Sequence, residues 1–310
     1  MILLILVMLG VLVLVVATAL LLMAHAILRP PRMSDGKALY LLKRLSPADL
    51  GMQFENVRFA VRDERSGRDL QLAGWWIPHP AGGDKTVILI HGYADAKVGA
   101  IAWAPTWRQI GFHILAIDLR AHGESDGIYS TGGVFEQKDL DQIINQLRAT
   151  RPAQTRQLVL FGISLGASVA LGAAEARDDI SAIVLESPIA NFRHAVRAQA
   201  TMLELPLLSM LPQVLKLAEW ICGARFDQLD PLRSIVRVKC PVMAIQSGDD
   251  PFVPPEDARR IEDAVKARPH GSVSWVTEHV PHLLTVQANP DEYRRRIEQF
   301  LQGIYDAERI

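Results

Sequence analysis

Six short runs of β-branched or apolar residues recur along the chain: TVILIHG (86–92), FHILAID (112–118), QLVLFG (157–162), SAIVLES (181–187), CPVMAIQ (240–246) and SVSWVTE (272–278). Polar or glycine-containing loops bound each of them. Between most lie amphipathic stretches of helical length, notably 134–149, 165–176, 256–267 and 288–303. Strand and helix in alternation predict an α/β fold with a mostly parallel sheet and helices on both faces. Ahead of these runs, FENVRFAV and LQLAGWWI are separated by the turn-rich RDERSGRD and predict an antiparallel hairpin at the sheet edge, which brings the sheet to about eight strands. The globular domain is expected over 54–310, long enough for one large core. One interval breaks the rhythm. Residues 189–230 are too long for a single crossover helix; they contain MLELPLLSMLPQVLKLAEWI, interrupted by Pro206 and Pro212, and predict a small helical cap over the carboxyl edge of the sheet, with extra core helices as the alternative.

The first 28 residues are of another kind. MILLILVMLGVLVLVVATALLLMAHAIL carries no charged side chain, and its length as a helix is about 42 Å against a hydrocarbon core of about 30 Å. A cleavable signal peptide begins with a basic stretch, and no Lys or Arg precedes this run, so residues 1–28 are expected to be an uncleaved single-pass transmembrane anchor. Arg29, Arg32, Lys37, Lys43 and Arg44 follow it, which favours a cytoplasmic catalytic domain. Residues 29–53, with Pro30, Pro31, Gly36 and Pro47, are expected to form a juxtamembrane stalk with one short helix.

Charge excludes one class of partner. The formal net charge is −1, with both signs interspersed and no basic stripe, so no nucleic-acid partner is expected. The two cysteines, Cys222 and Cys240, lie in no metal-ligand spacing, so no metal site is expected, and a single bridge between them stays open.

LVLFGISLGASVALGAA (158–174) places a serine between two glycines where a buried strand runs into a helix of small residues. A turn that tight forces its central residue into strained backbone angles, and side chains two positions either side would strike neighbouring backbone. Gly162 and Gly166 remove that collision. Ser164 is then held above the sheet, near the unpaired N–H groups of the next helix. Its hydroxyl is a poor nucleophile without a base, and a histidine base needs a carboxylate to fix its tautomer. Both should lie at the ends of later strands, and SGDDPFVPPEDARRI and HVPHLLTVQANPDEYRRRIEQFL follow the strands at 240 and 272.

With these segments in this order, residues 54–305 resemble an α/β-hydrolase of the serine-hydrolase group, near its lipase, esterase and aminopeptidase-like branches. The resemblance implies Asp250 as the acid, from the x-x-(V/I)-P that follows it at Val253 and Pro254, with Asp249 as the rival. It implies His282 as the base in preference to His279. LIHGYADAK is similar to the family's oxyanion loop, which implies the backbone N–H of Tyr93 as one oxyanion donor beside that of Leu165, with His91 and Gly92 ordering the loop. DLRAHGESDG (118–127) resembles a further family segment, and Asp118, Arg120, His122 and Ser125 are read as loop structure, with Ala121 standing where a glycine is often found.

The function expected on these grounds is two-step cleavage of a carboxylic ester through an acyl-enzyme, without metal or organic cofactor. A small-molecule or lipid acyl substrate is expected, with Met202, Met210 and Trp220 of the insert lining an apolar pocket. Thioesterase or serine peptidase activity with the same triad, perhydrolase chemistry with peroxide, and a catalytically silent binding module are the alternatives. Oligomeric state is not legible.

Overall fold

The computed structural model describes residues 1–202, 204, 208–268 and 271–307; part of the leucine-rich insert, Pro206 included, lies outside them. Strands β1 (Glu55–Arg62), β2 (Asp69–Ile77), β3 (Lys85–Ile90), β4 (His113–Ile117), β5 (Gln157–Ile163), β6 (Ala182–Glu186), β7 (Val242–Asp249) and β8 (Val273–Pro281) form one sheet in the order β1-β2-β4-β3-β5-β6-β7-β8. The hairpin β1–β2 is antiparallel at one edge, β2 meets β4 antiparallel, and the other pairs are parallel. Five of the six apolar runs became strands buried on both faces, and the sixth became the edge strand β8, most of which is half-exposed or exposed. Their period of two sorts them: Ile88, Ile90, Leu158, Leu160, Ile183 and Leu185 enter one core, and Val87, Leu89, Val159, Phe161 and Val184 the other.

The helices are α1 (Ile2–Leu28), α2 (Asp35–Leu42), α3 (Lys97–Ala100), α4 (Ala104–Gln109), α5 (Glu136–Thr150), α6 (Leu165–Ala174), α7 (Phe192–Met202), α8 (Leu211–Cys222), α9 (Pro231–Arg237), α10 (Pro255–Lys266), α11 (Thr285–Ala288) and α12 (Pro290–Ala307). Leu140, Ile143, Ile144 and Leu147 of α5 and the small residues of α6 cover the first face. Trp103, Trp107 and, on α12, Tyr293, Ile297 and Phe300 cover the second. Each such fully buried side chain contributes about 1.5–3 kcal/mol relative to exposure. Between β6 and β7 stand α7, α8 and α9.

The segment after α1, expected as a juxtamembrane stalk, packs on the domain. Ala38 of α2 and Met52 are buried in the second core, and Arg32 donates to the carbonyls of Gly123 (2.8 Å), Ser125 (2.7 Å) and Gly127 (3.1 Å). Two short helical turns lie against the domain where one short helix was expected, the second opened by Pro47 and closed by Gly51. Cys222 is buried and Cys240 half-buried, and both are free thiols.

Candidate active site

Ser164 closes β5 and opens α6 with φ 52° and ψ −113°. Two glycines make the turn sterically feasible. A β-carbon at position 162 would lie 2.4 Å from the Gly166 carbonyl oxygen, and one at 166 would lie 2.2 Å from the Ile90 carbonyl oxygen on the neighbouring strand. No side chain fits at either place. The Ser164 N–H donates to the Glu186 carbonyl at 2.9 Å, which ties the turn to the end of β6.

Asp250 follows the irregular end of β7, where the pairing with β8 shifts register between Ser247 and Asp249. Its Oδ1 accepts the N–H groups of Phe252 (2.9 Å) and Val253 (3.2 Å), a local turn that fixes the carboxylate. The Oδ2 accepts from His282 Nδ1 at 2.5 Å. Because a carboxylate only accepts, the Nδ1 carries the proton, and the lone pair of the neutral imidazole is on Nε2. The side chains of His282 and Asp250 are 14% and 4% exposed, whereas the rivals His279 and Asp249 pair with each other at 3.5 Å and are 90% and 60% exposed. Two imidazole–carboxylate pairs thus stand side by side here, one enclosed and one in solvent.

Ser164 and His282 line one cavity of about 200 Å³. Gly92, Tyr93, Leu165, Ile189, Phe192, Ala195, Val196, Phe252 and Leu283 also contribute to its wall. Gly92 faces Ser164 closely: a β-carbon there would be 3.3 Å from Ser164 Cβ. His91, fully buried, donates from Nδ1 to the Gly92 carbonyl (2.7 Å) and accepts the Leu119 N–H on Nε2 (2.9 Å). Both nitrogens are occupied, and burial pushes the imidazole well below its usual range, so it is a neutral brace. His122 braces the same loop, accepting the Ala94 N–H at 3.3 Å while its other nitrogen donates to the Arg120 carbonyl at 2.8 Å. Asp118 accepts from the Lys97 ammonium at 2.7 Å, and Arg120 holds Asp139 and Asp63. The segment 118–127 is therefore occupied by its own contacts.

Two parts of the wall were not anticipated. Asp95 lines the cavity, with a carboxyl that burial pushes up to about 6. Ile27, from the last turn of α1, lines it as well. The insert lines the cavity as expected, through Ile189 and, on α7, Phe192, Ala195, Val196 and Gln199, but the three residues named for that role are corrected. Met202 and Trp220 are 48% and 79% exposed and Met210 is outside the wall, because α8 turns its apolar face (Leu211, Val214, Leu215, Ala218) inward and lies against α1, leaving the roof to α7. A leucine count does not say which helix covers the serine.

Residues 82–235 match the model of a family described as serine aminopeptidase, S33. The uncharacterized protein YqkD of Bacillus subtilis is 26% identical over 263 residues, 82% of each chain. The lysophosphatidylserine lipase ABHD12 of Danio rerio is 24% identical over 202 residues, 62% of this chain and 50% of its own. The esterase Pf2001 of Pyrococcus furiosus shares the fold with a TM-score of 0.71 at 28% identity, covering 89% of this chain and 97% of its own. With its eight-stranded, mostly parallel sheet and the strand–serine–helix turn at residue 164, the chain is a member of the α/β-hydrolase superfamily, a hydrolase by descent.

Proposed function

We propose that this hydrolase is a membrane-anchored serine esterase that cleaves carboxylic esters of apolar acyl groups through an acyl-enzyme. The observation that carries the reading is the shared cavity: Ser164 on a strained turn and His282 held by Asp250 open onto one apolar pocket. In the proposed mechanism the Ser164 hydroxyl attacks the ester carbonyl while His282 Nε2 takes its proton. Asp250 holds the imidazole in the required tautomer and stabilises the imidazolium. The tetrahedral oxyanion is received by the backbone N–H groups of Tyr93 and Leu165. His282 returns the proton to the departing alcohol, and water, activated by the same imidazole, releases the acid.

Cavity size supports one arm of a substrate at a time. About 200 Å³ is below the range for whole drug-sized ligands, and the wall of Ile189, Phe192, Ala195, Val196 and Leu283 suits a single acyl chain. Anchoring is supported by α1, the one described helix apolar and long enough to cross a bilayer. Its last turns are buried in the domain, with Ala24 and Leu28 at 0% exposure, which favours retention over cleavage. The basic residues behind it favour a cytoplasmic domain.

The test uses the full chain in detergent. A fluorophosphonate probe is expected to label wild type and not Ser164→Ala, and p-nitrophenyl esters are expected to be hydrolysed faster than matched thioesters and aminoacyl p-nitroanilides. An unlabelled wild type would leave the silent binding module; faster thioester or anilide turnover would reassign the bond cleaved.

A further inference from the structure

We infer that the last turn of α1 is a wall of the acyl-binding site and that Ile27 sets the acyl length accepted, so the anchor itself selects the substrate, an acyl ester drawn from the membrane it spans. The inference rests on the esterase reading of Ser164 and goes beyond it by giving the anchor a part in the site.

The helix divides into two parts. Between Ile2 and Val15 the large side chains are 53–75% exposed, with no protein against them. From Leu20 onward one face is docked: Leu20, Met23 and Ile27 pack on the main core and Ala24 and Leu28 are wholly buried in it. Polar contacts fix the end of the helix. The Tyr93 phenol donates to the carbonyls of Ile27 (2.9 Å) and Ala26 (3.2 Å), and the Ser130 N–H donates to the Leu28 carbonyl (2.8 Å). Carbonyls of a helix's last turn have no partner inside the helix, so these donors satisfy groups that would otherwise face an apolar surface. Burial pushes the Tyr93 phenol up to about 12, so it remains a donor at any physiological pH.

Tyr93 joins two functions in one residue. Its side chain holds the anchor, and its backbone N–H is the proposed oxyanion donor beside Ser164. Ile27 stands in the wall of that same cavity with Phe192, Ala195 and Val196 of α7. Apart from Gln199 of α7, the lining shared by anchor and cap is aliphatic and aromatic, as an acyl chain requires.

Depth follows from helix length. Ile27 is 25 residues beyond Ile2, or about 38 Å along the axis, against a hydrocarbon core of about 30 Å. The cavity wall therefore stands about 8 Å past the hydrocarbon boundary, at the outer limit of a headgroup layer about 5–7.5 Å deep on each side. Lipid ester bonds lie at that boundary, and an acyl chain reaching Ser164 from there passes the end of α1.

The experiment compares full-length wild type, Ile27→Trp, Ile27→Ala and, as control, Leu22→Trp on the exposed face of α1, in detergent micelles with p-nitrophenyl acetate, octanoate and dodecanoate. Ile27→Trp is expected to lower the ratio of dodecanoate to acetate kcat/KM at least tenfold, Ile27→Ala to move the optimum to a longer chain, and Leu22→Trp to leave the wild-type ratio within twofold. Thermal melts within a few degrees of wild type establish that the variants are folded, and Ile27→Ala alone decides if the tryptophan is not accommodated. Folded variants with the wild-type chain-length profile overturn the inference while fluorophosphonate labelling of the wild type leaves the esterase reading standing. A wild type that neither labels nor hydrolyses any ester overturns both.

Discussion

The α-carbon of Gly92 faces the Ser164 side chain so closely that a β-carbon at position 92 would lie 3.3 Å from Ser164 Cβ and 3.4 Å from the Ile163 carbonyl oxygen. The strand end carrying the proposed oxyanion donor is thus in contact with the turn of the proposed nucleophile. Gly92→Ala adds one methyl group into this contact and displaces the Tyr93 N–H or the Ser164 hydroxyl by a few tenths of an ångström. A loss of about tenfold in kcat is expected, with KM changed less, since the displaced donor acts on the transition state. Steady-state kinetics with p-nitrophenyl octanoate measures it, and an unchanged kcat would remove Tyr93 from the oxyanion site.

Adjacent aspartates offer a sharper discrimination. Asp250 is enclosed and bonded to His282 at 2.5 Å, while Asp249 is in solvent beside His279 at 3.5 Å. Asp250→Asn preserves shape but presents an amide to Nδ1 and favours the wrong tautomer, so kcat should fall by on the order of 10³–10⁴. Asp249→Asn is expected to change kcat less than about threefold, because an exposed pair of this kind contributes at most about 1 kcal/mol. Equal losses in the two variants would show that the assignment of the acid is wrong.

Glu186 predicts a pH dependence of stability. It is wholly buried beneath the site at the end of β6, accepts the Tyr293 phenol at 2.7 Å, and burial, reinforced by the Asp250 charge, pushes its carboxyl up to about 8. In the unfolded chain the same group titrates near its ordinary value of 4.5. Between the two values the folded state holds a proton that the unfolded state has released, so this contribution to stability is full below about pH 4.5 and is lost as the pH rises toward about 8. Glu186→Gln keeps an acceptor for Tyr293 and cannot ionise. The difference in Tm between variant and wild type, read by calorimetry, should move in favour of the variant from pH 6 to pH 9. A constant difference would place the Glu186 titration elsewhere.

Much of the scaffold was legible because its signals are local. Gly162, Ser164 and Gly166 state their own steric reason for their spacing, and the apolar runs announce strands, buried on both faces except at the β8 edge. Asp250 and His282 could be named but not brought together from the sequence, since their meeting depends on the register of β7 against β8, set by the irregularity at Ser247–Asp249. The substrate wall was least legible. Ile27 belongs to a run whose uncharged length says only that it is long enough to cross a membrane, and nothing in the periodicity of such a run marks the side that docks. Met202 and Trp220 had the right chemistry for a lining but stand on helix surfaces that face away from the cavity. Asp95 reads as a loop residue until Gly99 of α3 is found directly beneath it, so close that a β-carbon there would lie 2.1 Å from its carboxylate.

Arg32 shows how a stretch rich in proline can be part of the domain. Its guanidinium reaches the carbonyls of Gly123, Ser125 and Gly127 at 2.7–3.1 Å, a cluster in one turn of the segment that also presents His122 to the Ala94 N–H. Nη1 serves Gly123 and Ser125 and Nη2 serves Gly127, a rigid planar fork that a single ammonium nitrogen on a shorter reach does not reproduce, so Arg32→Lys should lose most of what Arg32→Ala loses. Bonds from a charged donor of this kind contribute about 1.5–3 kcal/mol, which corresponds to a fall in Tm of roughly 3–10 °C for a domain of this size. Because His122 braces the loop next to Tyr93, the loosening should extend to the site: faster hydrogen exchange at the amides of residues 118–127 and of Ala94, together with a kcat lowered several-fold. Exchange that quickens only around residue 32, with kcat unchanged, would mean that the juxtamembrane segment rests on the domain without supporting the oxyanion loop.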